Sequence, residues 1–180
     1  TKSLDKIENY IKSSKRKIIW VGNGAKFATE EVNLFIKMGF AVVTSTQGRG
    51  VVSETNKMCL GAFNAVPLIE EFYKTLDLML VVGSRLRGHE TRDMSLELPK
   101  NLVQIDIDPS AKNRTYKTNQ FHCGDAKKVL GELAKRLAGK ISVNNEWIDE
   151  VSDLKNRIYF DYKNMSVSYT HLTLPTTLSV

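Results

Sequence analysis

The sequence predicts an α/β fold: a Rossmann-like, doubly wound, mostly parallel sheet with helices on both faces and linker helices at its flanks. Three observations carry that prediction. Short, continuous apolar runs (Ile18–Val21, Phe40–Val43, Leu78–Val82 and Leu102–Ile107) have the length and composition of strands buried on both faces. Most of them stop at a glycine or at a small or acidic residue, as strands do where a sheet opens toward a ligand crevice. Between them lie segments of helical period, and the alternation of strand and helix holds from Ile18 to Leu137.

Taken in order, Leu4, Ile7, Tyr10 and Ile11 are spaced for an amphipathic lead-in helix over 4–12. Strand Ile18–Val21 runs into Gly22-Asn23-Gly24. Phe27, Val32, Leu34, Phe35, Ile36 and Met38 then predict a helix over 27–38, broadly buried against the sheet and closed by Gly39 as a C-cap. With strand Phe40–Val43 and the turn Gly48-Arg49-Gly50, this completes a βαβ unit, right-handed by the general rule. A loop over 51–58 leads to Leu60-Gly61-Ala62-Phe63 and to a helix over 66–75 that accepts Pro67 in its first turn. Strand Leu78–Val82 ends at Gly83, and a polar, arginine-rich loop follows over 86–99, long enough to suggest function or mobility. Strand Leu102–Ile107 is stopped by Asp108-Pro109. A short strand at Gln120–Cys123 precedes Asp125, a natural N-cap for a helix over 126–137.

After Gly139 the pattern changes. Trp147, Val151, Leu154 and Ile158 predict one more amphipathic helix, of the kind that leaves a finished domain for the next one or for a partner. The expected division is therefore a lead-in helix over 1–14, an α/β domain over 15–140, a linker helix over 141–165 and a tail over 166–180. That tail has no charged residue and no helical period, and Val167–Thr176 resembles the translation of a sequencing-adapter end. It is expected to be non-native and disordered, and is set aside together with His171.

Composition limits the function classes. A formal net charge of +6 suggests an acidic partner, but the lysines are spread along the chain among acids, and Ser13–Lys17 is the one dense cluster. A solvated basic surface is expected rather than a nucleic-acid site. No apolar run has the length of a membrane helix, and the first residues do not read as a signal peptide. Cys59 and Cys123 lie far apart without disulfide or zinc spacing, which fits a reduced, cytoplasmic compartment.

Signals of chemistry are confined to strand ends. Gly22-Asn23-Gly24 stands after a strand and before a helix, where a nucleotide phosphate binds, yet Phe27 replaces the third glycine of the full dinucleotide fingerprint. The turn is either a phosphate contact or simply a turn, and the same two readings apply to Gly83. Asp106 and Asp108 end a strand, where an acid can bind ribose hydroxyls or merely terminate the strand. Arg85, Arg87 and Arg92 crowd one loop, suited to an anionic cofactor or to ordinary solvation. His89 and His122 accompany no nucleophile elbow, zinc motif or carboxylate pair, so no catalytic residue and no metal ligand is assigned. Cys123 and His122 are neighbours on a strand and should face opposite ways, core and surface respectively.

The order of these pieces carries a resemblance. IIWVGNGA, FAVVTSTQGRGVVSE, LGAF, LDLMLVVGSRLR, LVQIDIDPSAKNR and FHCGDAKKVLGEL, from about Lys15 to Leu137, resemble in order and spacing the central domain of thiamine-diphosphate-dependent enzymes, most of all the acetolactate-synthase-like carboligases and decarboxylases. The resemblance implies that thiamine diphosphate and Mg2+ belong to the full-length enzyme and not to this segment. The activating glutamate lies in an upstream domain, and the Gly-Asp-Gly motif with its asparagine in a downstream one. Here Gly124-Asp125 is followed by Ala126. It further implies an inactive internal segment of a lyase or transferase acting on 2-oxo acids or related acyl donors. Its partners would be the missing N- and C-terminal domains, in a homodimer or homotetramer, with no nucleic acid and no membrane.

Some members bind FAD or ADP in this domain. Matching their contacts residue by residue gives the expected cofactor set Gly22, Asn23, Gly24, Thr44, Gln47, Gly61, Gly83, Arg85 and Asp106. The sequence departs from the flavin pattern where Ala62-Phe63-Asn64 replaces Met-His-Gly and Leu86-Arg87-Gly88-His89 replaces Phe-Asp-Asp-Arg. The alternative reading is a free-standing FAD-, ADP- or NAD-binding module, or an NAD-using enzyme, on the same fold.

Overall fold

Helices on both faces of one parallel sheet are what the computed structural model contains; it describes residues 2–170, with side chains as far as Asn164. The strands are β1 (Lys17–Val21), β2 (Phe40–Thr44), β3 (Leu78–Val82), β4 (Leu102–Asp106) and β5 (Gln120–Cys123), ordered β2-β1-β3-β4-β5. All pairings among them are parallel. The helices are α1 (Lys2–Ser13), α2 (Thr29–Lys37), α3 (Pro67–Tyr73), α4 (Ala126–Leu137) and α5 (Asn145–Thr170).

Successive strand residues point to opposite faces, so each strand feeds two cores. Ile19, Val21, Val42, Leu80, Val82 and Ile105 meet α1, α2 and α4 on one side. Ile18, Trp20, Val43, Met79 and Val81 meet α3 and α5 on the other. This explains the uninterrupted apolar runs: every residue of β1 through β4 is buried. Chain order reverses between β1 and β3, because β2 lies to one side of β1 and β3 to the other. That reversal opens a crevice beyond the strands' carboxyl ends.

Several predicted boundaries shift for physical reasons. Helix α2 begins at Thr29, not at Phe27, because Asn23–Ala25 forms a separate 3-10 turn. Its core stripe is Val32 and Phe35, so Leu34 faces outward and Phe27 is 75% exposed, with Lys26 Nζ 4.9 Å above its ring. Strand β4 stops at Asp106, one residue early, and leaves Ile107 exposed. The segment read as loop and motif at 58–61 runs beside β2: Val42 N–H donates to Met58 O (2.8 Å), Leu60 N–H to Val42 O (2.8 Å) and Thr44 N–H to Gly61 O (3.0 Å). It covers what would be an open sheet edge.

Both flanking helices are built into the core. Leu4, Ile7 and Ile11 bury α1 against the sheet, and Trp147, Val151, Leu154 and Ile158 bury α5 on the opposite face. The α5 backbone is helical to Thr170, five residues beyond the expected break at Met165; the rest of the suspected tail, 171–180 with His171, lies outside the described residues. No helix among the described residues is long and apolar enough to cross a membrane.

Asp77 joins the two central strands at their amino ends. Its Oδ2 accepts the backbone N–H groups of Lys15 and Arg16, each at 2.8 Å, while Asp77 N–H donates to Arg16 O. Asp77→Ala should therefore cost about 1 kcal/mol, since the bonds are charge-assisted but solvent-exposed. A reduced urea midpoint at unchanged denaturant slope would show it.

Candidate functional site: the crevice at the strand ends

The turns that follow β1, β2, β3 and β4 converge at the reversal point. Sheet-like bonding continues into them: Gly22 N–H donates to Val82 O (2.9 Å), Gly24 N–H to Gly83 O (2.9 Å), Ser45 N–H to Val21 O (2.9 Å) and Gly83 N–H to Ile105 O (2.9 Å). The glycines are required by this backbone-to-backbone approach. Gly83 lies at φ +59°, and a Cβ there would fall 2.6 Å from the Gly24 carbonyl carbon. The turn at Gly22–Gly24 is thus first a packing device between adjacent strand ends.

Beside it opens a cavity of about 280 Å³ lined by Asn23, Gly24, Gln47, Gly83, Arg85 and Asp106 of the expected set, and by Ser45, Ser84, Arg87, His89 and Glu90. Three expected residues are placed otherwise. Gly22 is enclosed by Gly83 and Ser84, and its N–H is used by Val82. Thr44 is buried, its O accepting from Asn64 Nδ2 at 3.0 Å. Gly61, at φ +74°, pairs with Thr44 near Tyr159 on the far side of β2.

The charges at the crevice are largely committed to one another. Arg85 Nη2 donates to Asp108 Oδ2 (2.8 Å). Hydrogen bonds from Ser110, helped by Arg85 and Arg114, hold the Asp108 carboxyl below its usual range. Asp106, 8% exposed, accepts Asp108 N–H through Oδ1 (2.9 Å). Gln104, buried beneath, donates from Nε2 to Ser84 O (3.0 Å).

Glu90 is the residue sequence reasoning missed. It is 7% exposed, and its Oε1 accepts Thr46 N–H at 2.9 Å, with His89 Nε2 at 3.8 Å. Nothing local announces a buried acid in a polar loop. The signal is tertiary: Gly88 O accepts from Thr91 and Asp93, and Leu86, Arg92, Asp93 and Met94 all have positive φ. Such left-handed residues persist only where surrounding contacts hold them, and here Arg92 is ion-paired with Glu70.

No catalytic pair is assembled at β5. His122, expected at the surface, is half-buried, with Nδ1 3.1 Å from Ser3 Oγ, and burial pushes its pKa down. Cys123, expected in the core, is instead exposed on the edge strand and directs Sγ to Ile107 O. Cys59 is buried, which pushes its thiol pKa up. Among the described residues no three His, Cys, Asp or Glu side chains converge to hold a metal ion.

A five-stranded parallel sheet with a polar crevice at its reversal point defines a nucleotide-type α/β domain. The model of the family described as thiamine pyrophosphate enzyme, central domain, matches residues 4–133, and the chain belongs to that family. It is similar to a "Probable acetolactate synthase large subunit" of Methanococcus aeolicus, 28% identical over 86% of this chain and 28% of the relative. It is likewise similar to "Acetolactate synthase 1, chloroplastic" of Zea mays, 24% identical over 91% of this chain and 27% of the relative. The acetolactate synthase large subunit of Buchnera aphidicola is 26% identical over 85% and 28%. The chain thus spans under a third of the length of these relatives. This kinship does not favour a free-standing nucleotide module or an NAD-using enzyme.

The residues present do not fit FAD. A cavity of about 280 Å³ lies just below the ~300–1,000 Å³ typical of ligand sites. Its two lining arginines are matched by two lining carboxylates, Asp106 and Glu90, and Arg85 is already paired with Asp108, which leaves no excess positive charge for a diphosphate.

Proposed function

We propose that this chain is the non-catalytic central domain of a thiamine-diphosphate-dependent carboligase or decarboxylase of the acetolactate-synthase-like kind, acting on 2-oxo acids or related acyl donors. The observation that carries the reading is the family match over 4–133, which falls on the doubly wound unit from α1 into α4. The names of the relatives support the acyl chemistry. Thiamine diphosphate and Mg2+ would be held by domains on either side, and dimer or tetramer contacts would come from those domains. Two free cysteines support a reduced, cytoplasmic setting.

In this reading the domain acts by position. A rigid sheet clasped by α1 and α5 fixes the distance and angle at which the preceding and following domains meet. The crevice is separate from the acyl chemistry, and its balanced charge argues against ADP as well as FAD. The source DNA tests the main reading: the frame should continue into a domain bearing Gly-Asp-Gly and a following asparagine. A natural stop codon near Met165 would contradict it.

A further inference from the structure

The floor and the rim of the crevice differ in charge. Arg85, Arg87 and His89 are exposed at the rim, whereas Glu90 and Asp106, both more than nine-tenths buried, form the floor. A nucleotide phosphate at strand ends is held by backbone N–H groups at the turns and by a fork-shaped cation. One such N–H and one of the two lining arginines are already taken here by carboxylates of the chain itself. Glu90 Oε1 accepts the N–H of Thr46 after β2, and Asp108 takes the guanidinium of Arg85. Each floor acid is engaged through one oxygen, Glu90 Oε1 and Asp106 Oδ1, and both acids line the cavity.

We infer that Glu90 is a specificity residue: its carboxylate stands where a phosphate would bind, so the crevice takes an unphosphorylated, hydroxyl- and amine-bearing ligand of the nucleoside class and rejects nucleoside diphosphates and dinucleotides. A buried carboxylate accepts hydrogen bonds and repels anions. Asn23, Gln47, Ser45 and Ser84 supply further neutral partners along the wall. The loop bearing Glu90 cannot readily swing the acid away. Its backbone is closed on Gly88 O, Thr91 is fully buried, and Arg92 is tied to Glu70 of α3. The inference rests on the crevice alone and stands whether or not the chain belongs to a carboligase.

The test is calorimetric titration of the 180-residue chain, wild type and Glu90→Gln, with adenosine, ADP, FAD and inorganic pyrophosphate. Glutamine keeps an acceptor for the Thr46 N–H and removes the charge, so the loop is retained. In the wild type, adenosine should bind at least as tightly as ADP, and FAD and pyrophosphate should not bind. In Glu90→Gln, ADP affinity should rise about tenfold while adenosine changes less than about threefold. Wild-type binding of ADP or FAD more tightly than adenosine overturns the inference. So does an unchanged ADP affinity in Glu90→Gln, and so does a failure of both proteins to bind adenosine.

Discussion

Gly83→Ala should cost about 3–4 kcal/mol, enough to lower the urea midpoint by about 1.5–2 M at a slope near 2 kcal/mol/M. Two effects add. At φ +59° an alanine adopts a left-handed conformation that disfavours L side chains by about 1–2 kcal/mol. The new methyl also meets the Gly24 Cα and carbonyl carbon, each 2.6 Å away, and Ala25 N at 2.7 Å. These are backbone atoms of the turn after β1, so relief requires the two central strand ends to move apart. Gly50→Ala separates the effects, because Gly50 has φ +87° and nothing within 4 Å of a built Cβ. It should cost about 1 kcal/mol. Equal losses for the two variants would show that close approach of the turns is not what Gly83 provides.

Trp147→Ala is expected to cost about 4 kcal/mol and to loosen α5. The indole is buried, donates through Nε1 to Gly39 O at 2.7 Å, and stacks on Phe72 with ring centroids 5.5 Å apart. Arg16 lies 4.7 Å from the ring and closes the site through its ion pair with Glu150. Removing the ring leaves a cavity, a buried carbonyl without its donor and a cation without its face. Trp147→Phe keeps the stacking and loses only the N–H, so about 1–2 kcal/mol is expected. Limited trypsin digestion gives an independent readout: cleavage at Lys155 or Arg157 should appear in Trp147→Ala well before the core is cut. A loss below 1 kcal/mol with unchanged digestion would mean that α5 is an appendage.

The two variants mark where the fold was legible from residues alone and where it was not. Strands β1 to β4 were readable because burial on both faces leaves apolar runs with no polar interruption. Asp125 and Gly39 were readable because capping is local: Asp125 accepts Lys128 N–H at 3.0 Å and Gly39 turns at φ +85°. The pairing of Met58–Gly61 with β2 was not readable, because its partner lies some sixteen positions away and the segment is too short to show a period. Phe27 misled as an apolar residue at a helical spacing that the Asn23–Ala25 turn interrupts.

The lining of the crevice was legible in part. Six of nine expected cofactor residues line the crevice because strand ends and glycines position them. Glu90 could not be placed, since its burial depends on a left-handed loop held by Gly88 and Glu70. The same glycines carry two roles that sequence cannot separate: Gly22 serves backbone packing, while Gly24 and Gly83 pack and also border the cavity.

The most direct test of the central claim is thiamine-diphosphate-dependent release of CO2 from pyruvate, measured on the 180-residue chain and on the protein encoded by the whole surrounding reading frame, each with Mg2+. The account predicts that the chain alone folds, binds no thiamine diphosphate and releases no CO2, while the longer protein is active only with the cofactor. Turnover by the isolated chain would contradict it, as would a longer protein that binds no thiamine diphosphate.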